Sequence, residues 1–493
     1  MQLSTDDMAI VFSEYLLPMC PIISQKYCYI GEPDTVLVSK AKKRSGNTRI
    51  KASVFPYSLS SSATIIKPDG NGISVSSFYF DQSPIFPSNA SIEGNDNTLL
   101  HGLVFYCSFS EKEYAFAPFV SQRAEVQDNI INYLYPVWKE IVFILSKMEK
   151  YNNDLRRRFY IQSICSMAIT IALSSHLMSD KNNDASSIIT KVIFELVKWA
   201  SKTYEGTRIP FGFIITKDNS SGSGEDYTNF LKTKNSALFT DGVFSAIKLN
   251  AKGEIKEYIP LISTETPDNK GWLPLCPSRF AGFSKECTGA DTGIVALSNG
   301  DIMLFQKNEL VFTRRSGKWG AWRSEYFIAT IPENMVINSL LMKTIYISLL
   351  NASFAHCGAC FAIIAENKIS AVRTLIGDGM LDEISRNAEI EQKKEIIREL
   401  IVDRSDKDCK PLPFERLNEK LRTELMSLDG AFVIDTKGNV MTAGAILSVK
   451  PGSNEGGRSA AAKELSTCGI GVKVSEDGEI SVFVNGKAVL KYS

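Results

Sequence analysis

The sequence predicts a mixed α/β (α+β) protein: a C-terminal mixed sheet flanked by helices, preceded by a diverged copy of the same unit and by a β-rich N-terminal region. Three observations carry this prediction. Hydrophobic spacing changes from alternation to a helical period near residue 127. A compact apolar run at 358–364 is followed, after a helical stretch, by Asp429-Gly430-Ala431-Phe432-Val433-Ile434-Asp435 and a turn. A similar succession of segments occurs upstream, between residues 185 and 330.

Composition sets the outer bounds. The 493 residues suggest about three domains at roughly 150 residues each, drawn here as 1–125, 126–330 and 331–493. With 55 Lys+Arg against 55 Asp+Glu, the formal net charge is zero, which argues against a broad basic surface for duplex nucleic acid. The ten Cys are scattered and form no disulfide framework, which reads as a reducing compartment. The N-terminal segment is acidic, with Asp6 and Asp7, and lacks the charge pattern of a secretory signal. A cytoplasmic location is therefore expected.

Residues 1–125 alternate and are punctuated by turns, as in Ser74-Val75-Ser76-Ser77-Phe78-Tyr79-Phe80, with turn signals at Pro68-Asp69-Gly70 and 94–97. Asn89-Ala90-Ser91 matches a glycosylation acceptor by chance. The uncharged stretch 159–179 could be mistaken for a membrane span. Ser163, Ser166, Thr170 and Ser174 fall on one helical face, however, so it reads as an amphipathic core helix and no membrane is expected. Ile188, Ile189, Val192, Ile193, Leu196 and Val197 form a clean helical stripe. Residues 219–225 read as a flexible loop. The basic and aromatic stretch 314–323 reads as a β-turn with solvated charges.

In the last third, Val336, Leu340, Leu341, Ile345 and Leu349 have helical spacing, and Gly358 to Ile364 reads as a buried strand. A charged insert at 387–413 opens with an exposed helix carrying Ile390, Ile396, Ile397, Leu400 and Ile401. Leu417, Leu421, Leu425 and Met426 signal another helix. A hairpin turn at Thr436-Lys437-Gly438-Asn439 leads to a further strand. Gly456-Gly457-Arg458-Ser459-Ala460-Ala461-Ala462 then opens a helix, and Val474-Ser475-Glu476-Asp477-Gly478-Glu479-Ile480-Ser481 reads as a strand pair.

This ordered set resembles the diadenylate cyclase (DAC) domain family over roughly the last 160 residues. In that family a Gly-Ala strand precedes an Asp-Gly-Ala motif, a Gly-Thr-Arg-His-Arg-Ala-Ala motif opens a helix, and a Val-Ser-Glu-Glu-x-Gly-x-Ile-Ser strand pair follows. The resemblance implies condensation of two ATP into cyclic di-AMP with release of pyrophosphate. It implies catalytic roles for Asp429 and Arg458, and nucleotide contacts at Gly430, Ala431, Gly456, Gly457, Arg458, Ser459, Ser475 and Glu476. It also implies Mg²⁺ or Mn²⁺ at Asp429 and Glu476, and a homo-oligomer in which DAC domains meet face to face.

Elementary chemistry agrees with these placements. A carboxylate at a strand start, Asp429, can hold a divalent cation and activate a ribose 3′-hydroxyl. Gly430 lets a nucleotide approach the backbone. Gly456 and Gly457 ahead of a helix offer N–H groups and a positive dipole end to phosphate, and Arg458 adds a charge-assisted fork. Glu476-Asp477-Gly478 also reads as a hairpin turn. The chain departs from the family where Gly457, Ser459 and Ala460 replace Thr, His and the second Arg. Neither Ser nor Ala supplies a cation, and Lys463, one helical turn on, is the candidate replacement. The alternative reading is therefore a nucleotide-binding sensor or scaffold with an impaired site.

The remaining motifs are weak. His356-Cys357-Gly358-Ala359-Cys360 holds a C-x-x-C whose cysteines, if the segment is a strand, face opposite sides. Walker A, G-x-G-x-x-G, G-x-S-x-G and H-E-x-x-H are all absent from the sequence. The upstream copy is read from Phe211 to Ile215, Asp241-Gly242-Val243-Phe244, Ser278-Arg279 and Thr292 to Ile302. It lacks the Gly pair and the late acidic residue, and reads as a DAC-like sensor domain regulating the C-terminal one.

Overall fold

The structure, a computed structural model, describes residues 240–261, 273–405, 407–447 and 456–493. Upstream it describes 10–21, 23–31, 43–44, 47–50, 63–65, 74–80, 100–109, 112–120, 133–141, 143–144, 154–178, 183–200, 203–204, 207–218 and 224–233. The turns expected at 68–70 and 94–97, the Asn89 sequon and most of the 219–225 loop lie outside these residues. The chain divides into two compact units, Met1–Ile262 with Phe283–Trp322, and Ser263–Gly282 with Arg323–Ser493.

In the first unit, β1 (Ile23–Gly31), β2 (Ser74–Phe80), β3 (Leu100–Phe109) and β4 (Lys112–Val120) form an antiparallel sheet in the order β1-β4-β3-β2. Two helices follow, α1 (Asp154–Met178) and α2 (Asn183–Trp199). The stripe on α2 is the buried face: Ile189, Val192 and Ile193 are fully enclosed. Helix α1 departs from the expected amphipathic pattern. Its serine and threonine face is wet only at its start, where Ser163 is exposed, whereas Thr170 and Ser174 are buried. Each hydroxyl donates to the carbonyl four residues back, Thr170 to Ser166 and Ser174 to Thr170, so neither needs water. The window 161–178 is long and apolar enough to cross a bilayer, and 61% of it is buried inside the protein.

A seven-stranded mixed sheet completes this unit: β5 (Phe211–Ile215), β6 (Ser245–Leu249), β7 (Ile255–Pro260), β8 (Thr292–Ala296), β9 (Ile302–Gln306), β10 (Glu309–Arg315) and β11 (Lys318–Ala321). The order is β7-β6-β5-β8-β9-β10-β11, with β5 and β6 parallel and all other pairs antiparallel. Residues 314–323 do turn, at Ser316 and Gly317 with positive φ, but their charges are not all solvated. Arg315 is 9% exposed and lies 4.7 Å from the ring of the buried Trp322. The alternation of β10 points Arg315 inward, where an aromatic face receives the guanidinium.

In the second unit a short helix, Ser324–Ala329, precedes α3 (Ser339–Phe354), which is capped by the Asn338 side chain, accepting from the Leu341 N–H. Val336 precedes the helix and is exposed. Strand β12 (Ala359–Ile364) is buried along its whole length. After α4 (Ile369–Ile376) come α5 (Ala388–Ile401) and α6 (Glu419–Ser427). Then follow β13 (Ala431–Asp435), β14 (Val440–Ala445), α7 (Gly457–Leu465), β15 (Gly469–Val474), β16 (Ile480–Val484) and β17 (Lys487–Tyr492).

The sheet order is β14-β13-β12-β15-β16-β17, with β12 and β13 parallel and every other pair antiparallel. The continuous apolar run of β12 is explained by cover on both faces. On one side Cys360, Ala362 and Ile364 join Ala462 and Leu465 of α7. On the other, Phe361 stacks on its register partner Phe432 at 5.9 Å, and Phe414 closes on both at 5.6 Å. Gly471 lets α7 settle on β15, since a Cβ there would strike the Ala462 carbonyl oxygen.

Numbered within its own unit, each mixed sheet runs 3-2-1-4-5-6, with one parallel pair between its first two strands. The first sheet adds a seventh strand at the end. The helix expected at 387–401 is present as α5, but it is half-buried rather than exposed. Ile397 and Ile401 are enclosed while Ile396 and Leu400 face outward. Lys394 is buried too, its ammonium donating to the carbonyls of Asp378 (3.0 Å) and Glu383 and lying 3.4 Å from Glu391.

Candidate functional site

Sheet register brings the segments that carry the expected site residues to one end of the central strands of the second sheet. Because β13 is parallel to β12, Ala431 stands beside Cys360. Because β15 is antiparallel, Val474 stands beside Ala359. The start of β12, the start of β13 and the end of β15 therefore share that end, which carries Gly358, Asp429-Gly430 and Ser475-Glu476. Asp429 and Glu476 are two strand spacings apart, about 10 Å along the sheet.

Helix α7 brings its N-terminus to this end of the strands. Gly456, Gly457, Arg458, Ser459, Ser475 and Glu476, six of the eight expected nucleotide contacts, line one cleft of about 380 Å³. No side chain caps α7, and a Cβ on Gly456 or Gly457 would meet open space. Neither glycine has a positive φ, so no protein contact demands it. Ser459 and Ala460 donate their N–H groups to the Gly456 carbonyl, so Gly457 and Arg458 supply the N–H groups that α7, with its positive end, offers at the cleft.

The Arg458 guanidinium lies against Gly358, where any Cβ would collide with it, and its Nη1 stands 3.1 Å from Glu476 Oε1. Glu476, expected to hold metal, is thus paired with the arginine expected to hold phosphate. The turn 475–478 is also a working hairpin. The Ser475 N–H donates to Glu479 O at 2.9 Å, its hydroxyl donates to Asp477, and Gly478 has φ +87°. The hydroxyl of Ser475 holds the Asp477 carboxyl below the usual carboxylate range.

Three expected contacts lie outside the cleft. Asp429 is exposed, and its carboxylate takes no hydrogen bond or ion pair among the described residues. Gly430 owes its identity to the fold rather than to ligand approach. Its φ is +110°, and a Cβ would press on Gly444 and Ala445 of the neighbouring strand. Ala431 is wholly buried with its side chain in the core, so only its backbone is available.

Sequence reasoning missed Lys473 and Asp477, which line the cleft, and His356, whose Nδ1 lies 3.1 Å from Glu476 O. Alternation along β15 is the signal that could have found Lys473, since it faces away from the buried Val472 and Val474. Lys463 does not reach the cleft and sits 5.8 Å from the Phe483 ring. Cys357 precedes β12 rather than belonging to it, and both C-x-x-C cysteines are free. Burial pushes the Cys360 thiol up to about 12.

The hard oxygen donors Asp429, Glu476 and Asp477 suit Mg²⁺ or Mn²⁺, which bind through one or two carboxylates together with substrate phosphates. Among the described residues no three such groups converge into a ready-made cage.

The corresponding position in the first unit is built differently. Asp241 Oδ1 accepts the N–H groups of Val243 (2.8 Å), Phe244 (2.7 Å) and Ser245 (3.2 Å), so it caps its own turn. Arg279, expected to face it, belongs to the second compact unit, where it packs 4.6 Å from the Phe280 ring. No family model and no curated protein matches the chain.

Proposed function

We propose that the second unit binds ATP at this end of its central strands, and that two copies of the chain condense two ATP into cyclic di-AMP with release of pyrophosphate. The contrast between the two aspartates carries this reading. Asp241 is taken up by its own turn, whereas Asp429 presents a carboxylate without a partner among the described residues, at the strand end that also carries Arg458 and the open N-terminus of α7.

In this reading the N–H groups of α7 and the guanidinium of Arg458 receive the triphosphate. Asp429 orients the ribose 3′-hydroxyl and accepts its proton. Mg²⁺ or Mn²⁺, held by Asp429, supplies Lewis-acid polarisation of phosphate when bound. One such site per chain requires a second chain, so the active form is a homo-oligomer. The first unit, with the same strand order and a capped aspartate, serves as a DAC-like sensor that regulates the second. Such a protein would work in the cytoplasm, where ATP is plentiful, without nucleic acid or membrane as partner.

A second reading, nucleotide binding without turnover, is favoured by Ser459 and Ala460, which add no second cation to Arg458 in the first turn of α7. Incubation with ATP and Mg²⁺ or Mn²⁺, analysed by mass spectrometry, separates the two. A cyclic dinucleotide supports the cyclase. Bound, unconverted ATP supports the sensor and excludes the cyclase.

A further inference from the structure

Helix α5, in the charged insert, sends one mid-helix side chain, Lys393, to the strand beside the aspartate of the proposed site. Its inward face is fastened by Lys394 and by Arg398, whose Nε donates to Leu381 O at 2.6 Å and whose Nη1 meets Glu391 at 2.7 Å. That anchoring fixes the neighbouring side chain, Lys393. The Lys393 ammonium donates to Gly444 O at 2.7 Å. Gly444 is also the residue against which the main chain of Asp429 rests: a Cβ on Gly444 would collide with the Lys393 ammonium and press on the Asp429 carbonyl oxygen.

The bond to Gly444 uses one of three ammonium hydrogens. Among the described residues no carboxylate pairs with Lys393, although the helix also carries Glu389, Glu391, Glu395 and Glu399. Glu391 is committed to Lys394 and Arg398, and Glu399 to Arg404. Among the described residues, a half-buried cation without a carboxylate partner therefore stands one residue contact from the Asp429 main chain, while Arg458 lies over Gly358.

We infer that Lys393 is a catalytic residue of the condensation, a role that rests on the cyclase reading. In that reaction the 3′-oxygen held at Asp429 forms a bond to the α-phosphorus of the nucleotide carried by the second copy. The bond from that phosphorus to pyrophosphate breaks, pyrophosphate leaves with the electron pair, and the hydroxyl proton passes to Asp429. Negative charge grows on the α-phosphate oxygens beside Asp429, and an ammonium already in place stabilises it without reorganisation. The chain's own ATP phosphates lie at Arg458, so Lys393 acts on turnover rather than on binding.

The test compares the full-length wild type with Lys393→Met and Lys393→Arg, measuring kcat and KM for ATP, ATP affinity by equilibrium titration, and Tm. Lys393→Met is expected to lower kcat by about 10²-fold with KM and ATP affinity unchanged, and Lys393→Arg to restore much of it. Wild-type turnover in Lys393→Met overturns the inference and leaves the cyclase reading standing. Parallel loss of Tm, ATP affinity and activity in both variants also overturns it, in favour of a purely structural bond to Gly444. A wild type that binds ATP and forms no cyclic dinucleotide defeats the cyclase reading itself, and this inference with it.

Discussion

Arg458 and Glu476 meet at 3.1 Å across the mouth of the cleft, and the bare Cα of Gly358 makes room for the guanidinium. The pair is partly exposed and therefore weak as a source of stability. On the proposed reading its importance is positional: it holds the arginine at the N-terminus of α7, where an incoming phosphate would replace the carboxylate.

Gly358→Ala tests this placement. The new Cβ would occupy the place of the Arg458 guanidinium, a movable side-chain end, so the fold should persist. Loss of one charge-assisted phosphate contact should weaken ATP binding by about tenfold or more. Equilibrium titration with ATP, alongside the Tm, checks it. Unchanged affinity would place the phosphates elsewhere.

The two aspartates should respond in opposite ways. Asp429→Asn should abolish cyclic dinucleotide formation with little change in stability, since among the described residues the carboxylate takes no partner. Asp241→Ala should leave product chemistry intact and cost about 1 kcal/mol, the worth of a lost cap. Product assays and denaturant titration of both variants decide it.

Helix α1 makes a stability prediction. The Trp319 indole N–H donates to the Thr170 hydroxyl at 3.2 Å, with both residues buried. Thr170→Val keeps the volume and removes the acceptor, so the first unit should lose about 1–3 kcal/mol. The shift is read from the urea midpoint by tryptophan fluorescence. A wet serine and threonine face would have predicted no change.

Acid should loosen the anchor of α5. The Ser385 N–H and the Arg398 guanidinium hold the Glu391 carboxyl down to about 2. A depressed folded-state value means that its contribution is complete above the ordinary carboxylate range and is lost as the pH falls through about 2. The Tm of the wild type should therefore exceed that of Glu391→Gln at neutral pH, and the gap should close in strong acid. A gap independent of pH would show that the carboxylate charge is not what fastens the helix.

Periodicity alone located the central strand 358–364, the hairpin around Gly438, the stripe of α2 and the recurrence of the segment order, because alternation and helical spacing report which local positions must leave water. It also placed Arg458, Ser475 and Glu476 near a helix start and a strand end. Tertiary structure alone decided who meets whom. The parallel pairing of β12 with β13 and the antiparallel pairing with β15 set Asp429 and Glu476 at one end of the central strands, two strands apart. Gly430 read as a ligand contact, but its conformation and the closeness of Gly444 demand a glycine by themselves, and nothing in the local pattern singled out Lys393 from the charged insert that the buried Lys394 and half-buried Arg398 fasten. Local spacing encodes burial, which each residue carries in its own chemistry. Contacts between residues far apart in the chain depend on strand order and register, which no short window of sequence contains.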